Sequence, residues 1–221
     1  MKNARIFFSK DGSAKYISHL DLNRVMLRAV GMSRIPVWRT EGFHEHTYIT
    51  FALPLSLGYA SACESMDFRL TDDQFDLSEI PTRMNTVLPE GIRVIRCSEA
   101  VHKPADIVSA SYDIRITPME DGEISAEELS NKLKAFLDQP AIIVPKKTKK
   151  GLKDVDLKEY ILACELINGD GVHFTMTLPA GGTLNINPSL FVTALSEYVG
   201  AELYAEVIRT GIYMEKGEDF E

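Results

Sequence analysis

Apolar positions along this chain switch between alternation and helical spacing, and the switches mark the elements. Residues 4–9 (ARIFFS) read as a short strand. Ser18 then caps a helix, with Asp21 three positions on in capping-box register. Leu22, Val25, Met26 and Ala29 form its apolar side, it runs to about Val30, and Gly31 supplies the stop. Residues 35–39 (IPVWR) and 47–53 (TYITFAL) have strand composition with a loop between them. A longer strand, 59–70 (YASACESMDFRL), follows Pro54 and Gly58. Asp76 or Ser78 opens a second helix to about Leu88, Pro89-Glu90-Gly91 turns the chain, and 92–101 (IRVIRCSEAV) alternates as a strand.

That order is βαββαβ, the ferredoxin-like pattern, and it recurs. Residues 108–117 (VSASYDIRIT) alternate, 125–138 (SAEELSNKLKAFLD) form a Ser-capped helix, and 141–145 (AIIVP) are a short strand. Residues 159–167 and 172–178 pair as a hairpin around Asn168-Gly-Asp-Gly171. Residues 188–199 start a helix with Pro in its first turn, and 203–213 close as a strand. The expected fold is α+β: two tandem ferredoxin-like modules with antiparallel sheets, spanning 1–102 and 106–216. His102-Lys-Pro-Ala105 is the linker, and residues after Lys216 are expected to fray.

A length of 221 residues suits one large domain or two small ones, and the apolar content is enough for a sizeable core. No apolar run nears the roughly 18 residues of a membrane span, and Ile6-Phe7-Phe8 is too short for a secretory leader, so a cytoplasmic protein is expected. Cys63, Cys97 and Cys164 are odd in number and far apart, which fits buried inert thiols rather than disulfides or a metal cluster. Net charge is −8, which disfavours a general nucleic-acid binder, but it is polarised. Residues 1–50 carry eight Lys/Arg against four Asp/Glu, whereas 151–221 carry four against twelve. Between them lies a basic island, Lys146-Lys147-Thr148-Lys149-Lys150.

Three places could carry chemistry. On the first helix Asp21, Arg24 and Arg28 share a face, with Arg34 and Arg39 following. They are either a solvated surface or a guanidinium fork for phosphate or carboxylate. His44 and His46 flank Glu45, and in an extended segment both would share a side; they are either an ordinary polar loop or a contact for an anion or a metal, the metal's third ligand coming from elsewhere, for instance His19 or Glu41. The run PKKTKKGLKDVD (145–156) sets five lysines around Gly151, either a charged turn or a phosphate-backbone contact. Ser18, His19 and Asp21 share one helix turn and so cannot converge as a catalytic triad.

The runs KDGSAKYISHLDLNRVMLRA (10–29) and EGFHEHTYITFALPLSLGYASACE (41–64) resemble the radical SAM-linked protein family, a domain found beside a radical SAM gene or fused to a radical SAM protein. KKGLKDVDL (149–157) resembles its second signature. By position the family's recurrent residues fall on Ser18, His19, Asp21, Arg24, Arg28, Gly42, Phe43, His46, Pro54, Gly58, Glu64, Lys150, Gly151 and Asp156. Members usually read Gly-Phe-Asn-Pro-His where this chain has Gly42-Phe43-His44-Glu45-His46, so the resemblance carries over His46 but not a metal role for His44. The radical SAM motif CxxxCxxC is absent, so the resemblance implies a separate partner form.

The resulting expectation is a non-catalytic accessory module of a radical SAM enzyme, with no cofactor or metal of its own, binding an anionic substrate such as RNA or ribonucleoprotein. Its contacts would be Ser18, His19, Asp21, Arg24, Arg28, Arg39, Glu41, Phe43, His44, His46, Lys146, Lys147, Lys149 and Lys150. The alternatives are a small hydrolase or nuclease using His19 and His46 with acidic partners, and an adaptor that only docks on the enzyme.

Overall fold

The alternating N-terminal segment forms β1 (Lys2–Lys10), on which the first unit is built. Its Ala4, Ile6 and Phe8 face inward and meet Met66, Phe68 and Leu70 of β3 (Ala60–Leu70). β1 pairs antiparallel with β3 and, on its other edge, with β4 (Ile92–Glu99). The short β2 (Ile49–Phe51) pairs with β3, giving the order β4-β1-β3-β2. Helices α1 (His19–Met32) and α2 (Glu79–Asn85) cover one face of this sheet. Leu22, Met26, Ala29 and Val30 of α1 and Ile80 and Met84 of α2 join the same buried cluster. Each large side chain so buried contributes about 1.5–3 kcal/mol.

The structure is a computed structural model that describes residues 1–41, 44–119, 124–148, 151–167 and 172–221, with backbone only at 146–148. Among these the protein is mixed α+β, with four α-helices and mostly antiparallel strands. It divides into two compact units, Met1–Ile107 with Gly211–Glu221, and Val108–Thr210.

In the second unit β5 (Ser109–Pro118) lies between β9 (Val172–Pro179) and β10 (Leu203–Tyr213), with β8 (Ala163–Ile167) beyond β9. Tyr112, Ile114, Phe174 and Met176 are buried, as are Leu129, Leu133 and Phe136 of α3 (Ala126–Leu137) and Phe191 and Leu195 of α4 (Pro188–Val199). The ring of Phe191 meets those of Phe136 and Phe174, at 5.4 and 5.6 Å. Ser125 caps α3 by accepting from the Glu128 N–H, and Asn187 caps α4, which ends at Gly200 in the left-handed region. Between α3 and β8 a separate two-stranded sheet, β6 (Ile143–Thr148) and β7 (Gly151–Asp156), is inserted.

Several boundaries differ from expectation. Gly31 does not stop α1, which continues to Met32; the left-handed turn falls instead on Arg34 (φ 55) just before Ile35-Pro36. Residues 35–39 make no strand, only the bridges Val37↔Leu70 and Arg39↔Thr47, because they find no continuous ladder partner. A short 3-10 turn at Leu157–Tyr160 delays β8 to Ala163. The turn residues 168–171 lie outside the described residues. The segment after Lys216 does not fray: Phe220 is buried and its N–H donates to the Ile212 carbonyl.

Among the described residues, Gly91 is the turn glycine that both geometry and space require. Its φ is +83, and a Cβ there would come within 2.6 Å of the Asp11 carbonyl and 2.9 Å of the Ala14 Cβ. Its own carbonyl accepts from the Asp11 N–H, so neither side can retreat freely. Gly91→Ala is expected to cost about 3 kcal/mol of stability, read as a lower denaturant midpoint. An unchanged midpoint would show that this contact is not kept in solution.

Candidate functional site

The start of α1 is organised by hydrogen bonds that the sequence already implies. Ser18 Oγ accepts from the Asp21 N–H at 3.1 Å and donates to Asp21 Oδ2 at 2.7 Å. Arg24 Nη1 donates to Asp21 Oδ1 at 3.0 Å. The Ser18 hydroxyl first, and Arg24 second, hold the Asp21 carboxyl below its usual range. Its contribution to stability is therefore full above the ordinary carboxylate pKa and is lost as pH falls through the lowered value. Ser18→Ala is expected to cost about 1 kcal/mol near neutral pH. The difference should narrow in strong acid, where Asp21 no longer needs the hydroxyl as a donor; thermal melts at neutral and acid pH report both.

Arg28 and His19 are also exposed on α1, and Glu41 is exposed in the segment after it. His19 does not join Ser18 and Asp21; its ring packs edge-on against Phe51, centroids 5.0 Å apart, and Phe51 in turn meets Phe8. The N-terminus of α1 is thereby tied to β2 and to the core.

The segment before β2 closes on itself. The Thr40 N–H donates to the His46 carbonyl, the His46 N–H donates to Thr40 Oγ1 at 3.1 Å, and Arg39 bridges to Thr47. His46 Nδ1 lies 3.0 Å from Thr40 Oγ1 and 3.1 Å from the His44 carbonyl. A proton on Nδ1 shared between these oxygens leaves the Nε2 lone pair for an outside partner. The side chains of Arg39, His44 and His46 are exposed, while Phe43 lies outside the described residues. His44 and His46 are thus joined through the His44 backbone carbonyl. Among the described residues, no three His, Cys, Asp or Glu side chains come together to hold a metal.

The lysine run forms the β6–β7 hairpin. Lys146 stands opposite Lys153 and Lys147 opposite Leu152 in its register. A lone two-stranded hairpin is marginal in water, so its base must be anchored. Asp156 Oδ1 accepts from the N–H groups of Ile142 and Lys158, the Leu157 N–H donates to the Ile142 carbonyl, and Val144 and Leu157 are buried. Farther out, Leu152, Lys153 and Asp154 are exposed. Lys149 and Lys150 lie outside the described residues.

None of the three cysteines forms a disulfide, and all three are half-buried. Burial pushes the Cys97 thiol up to about 12 and Cys164 up to about 11, so neither offers a thiolate near neutral pH.

Two features escape sequence spacing. Arg5 on β1 is fully buried: Nε and Nη2 clamp the Asp67 carboxylate at 2.7 and 2.8 Å, while Nη1 and Nη2 also donate to the carbonyls of Glu221 and His102. In the second unit His173 Nε2 lies 2.8 Å from both oxygens of Asp113. Both pairs join residues at least sixty positions apart, so no local pattern could reveal them.

A family model described as "Uncharacterized protein conserved in bacteria (DUF2344)" matches residues 3–188. No curated protein matches the chain. Among solved structures, a chain of a Cbf5-Nop10-Gar1 complex is similar at TM-score 0.51 and 12% identity, over 96% of this chain and 50% of that one. This chain therefore spans about half the length of that relative, and the likeness concerns the fold alone. An unknown protein from Galdieria sulphuraria matches at TM-score 0.23 and 14% identity, over 93% of this chain and 98% of that one, too low a score to carry an argument.

Proposed function

Because the chain belongs to this DUF2344 family of proteins conserved in bacteria, we propose for it one role that uses its motif residues and its basic hairpin together: a non-catalytic accessory module that binds an anionic substrate, RNA or ribonucleoprotein, for a radical SAM enzyme. The observation that carries the substrate half is the β6–β7 hairpin, anchored at its base and lysine-rich beyond it. Like charges directly opposite each other destabilise a strand pair, and Lys146 opposite Lys153 is such a pair unless an anion sits against it. A phosphate backbone supplies that anion at regular spacing. Arg24, Arg28 and Arg39, exposed in the first unit, are the further phosphate contacts, with the exposed His19 and His46 as further lining residues.

The partner half rests on the motif resemblance at residues 10–29 and 41–64. The chain lacks CxxxCxxC, so the radical would be generated in the partner. Each unit reads as a ferredoxin-like module, since the orders β4-β1-β3-β2 and β10-β5-β9-β8 repeat one arrangement with the hairpin inserted in the second.

Two measurements test the reading. Fluorescence anisotropy with a structured RNA at low salt should give saturable binding; a flat titration refutes the substrate half. Co-purification with radical SAM proteins of the source bacterium tests the partner half, and repeated failure to associate with any of them refutes that half alone.

A further inference from the structure

A sheet edge presents a row of unpaired backbone N–H and C=O groups, and folded proteins guard such rows with charges, prolines or a covering segment. The first unit follows that rule. Its edge strand β4 carries Arg93, Arg96 and Glu99, and the Asn85 side-chain amide bonds both the N–H and the carbonyl of Val94, at 2.9 and 2.8 Å. The second unit does not. Its edge strand β8 pairs with β9 on one side, and among the described residues no strand pairs with the other.

That unguarded edge is apolar. Leu162 is 58% exposed, Leu166 and Ile167 are 38% exposed, and Glu165 is the sole charge from Ile161 to Ile167. Ile161 is extended and the Leu162 N–H donates to the Thr177 carbonyl, so contact with β9 reaches back ahead of β8 itself. The segment Ile161-Leu-Ala-Cys-Glu-Leu-Ile167 reads almost alike in both directions about Cys164. A twofold contact between identical surfaces demands that kind of self-complementarity. A second copy turned antiparallel about Cys164 sets Ile161 opposite Ile167, Leu162 opposite Leu166 and Ala163 opposite Glu165. No two like charges then stand directly opposite each other. Moving the axis one residue along the strand would set Glu165 against Ile161 or against its own copy.

We propose that β8 is a dimerisation edge, onto which a second copy of this chain adds its own β8, antiparallel about a twofold axis at Cys164. The outward N–H and carbonyl groups of each strand bond those of the other, as in any antiparallel ladder. The leucines and isoleucines of each copy cover those of its mate. A strand pair this short buries less than a standard interface, so the dimer is reversible and forms at about 10 µM and above. Contact between identical surfaces closes on itself, so a dimer and no larger species is expected. The edge uses neither the lysine hairpin nor the α1 motif, so its success or failure is independent of RNA and partner binding.

Sedimentation equilibrium of the full chain from about 1 to 200 µM tests the proposal and should show a monomer–dimer equilibrium. Leu162→Lys and Leu166→Lys should each weaken the dimer by about tenfold or more, because each sets a cation against an apolar side chain of the second copy. Both leucines are largely open to solvent, so these variants should fold, and circular dichroism checks it. The Leu162→Lys, Leu166→Glu double variant places opposite charges face to face twice across the axis. It should dimerise more tightly than Leu162→Lys alone, a rescue that depends on this register and that a merely sticky surface would not give. A monomer at every concentration would hand the edge to some other chain and overturn the assignment. Larger species, folded lysine variants that dimerise as the unmodified protein does, or a double variant no better than Leu162→Lys would overturn it equally.

Discussion

Arg5→Ala is expected to destabilise the first unit by about 3–5 kcal/mol, because it strips the partner from a charge pair whose cation is wholly buried. Arg5 has 0% exposure and satisfies four acceptor atoms: both oxygens of Asp67 and the carbonyls of His102 and Glu221. Its guanidinium also lies 4.2 Å from the centre of the Phe220 ring, so the C-terminal segment is held against the sheet by the same group. Removing it leaves a carboxylate and two carbonyls short of donors and opens a void under Phe220. For a chain of this length the expected fall in melting temperature is roughly 10 °C. Arg5→Lys keeps the charge but loses the planar fork, and should recover only part of the loss. An Arg5→Met, Asp67→Leu double variant removes both charges together and should regain more than either single change. A loss below about 1 kcal/mol for Arg5→Ala would show that the clamp is not closed in solution.

How much of this could be read beforehand follows from how local each feature is. The cap at Ser18 and the apolar side of α1 rest on neighbours three and four positions apart, and the sequence displays them directly. The end of α1 was harder to place, because Gly31 signals a stop only where a left-handed residue is needed, and that need falls on Arg34. Strand composition at 35–39 overstates structure for a related reason: a strand exists only with a partner ladder, and Val37 and Arg39 find single bridges. The burial of Phe220 depends on a guanidinium more than two hundred positions away. Nothing near Phe220 announces it, so fraying was the natural expectation.

The candidate site shows the same division. The ties among Ser18, Asp21 and Arg24, and between His44 and His46, are short-range and legible. The packing of His19 on Phe51 is not legible in this way, because it depends on where β2 docks. The hairpin lies between these cases. Its lysines are plain in the sequence, but its separation from the main strands and its anchoring through Asp156 come only from the fold.

The second large effect concerns that hairpin. Each lysine that neutralises a phosphate on single-stranded RNA contributes about 0.7 to the slope of log affinity against log salt. Replacing Lys146, Lys147, Lys149 and Lys150 by Gln removes four cations without shortening the strands, since the anchoring atoms at Ile142, Asp156 and Leu157 are untouched. The variant's slope should be shallower by about 2.8, and raising salt from about 50 to 200 mM should cost the unmodified protein roughly fiftyfold more affinity than it costs the variant. The most direct test is therefore a paired anisotropy titration of one RNA, unmodified protein against the four-Gln variant, across that salt range. Steep salt dependence that collapses in the variant is the predicted result. Parallel slopes for the two proteins, or no binding by either, would contradict the assignment of this hairpin to a phosphate backbone.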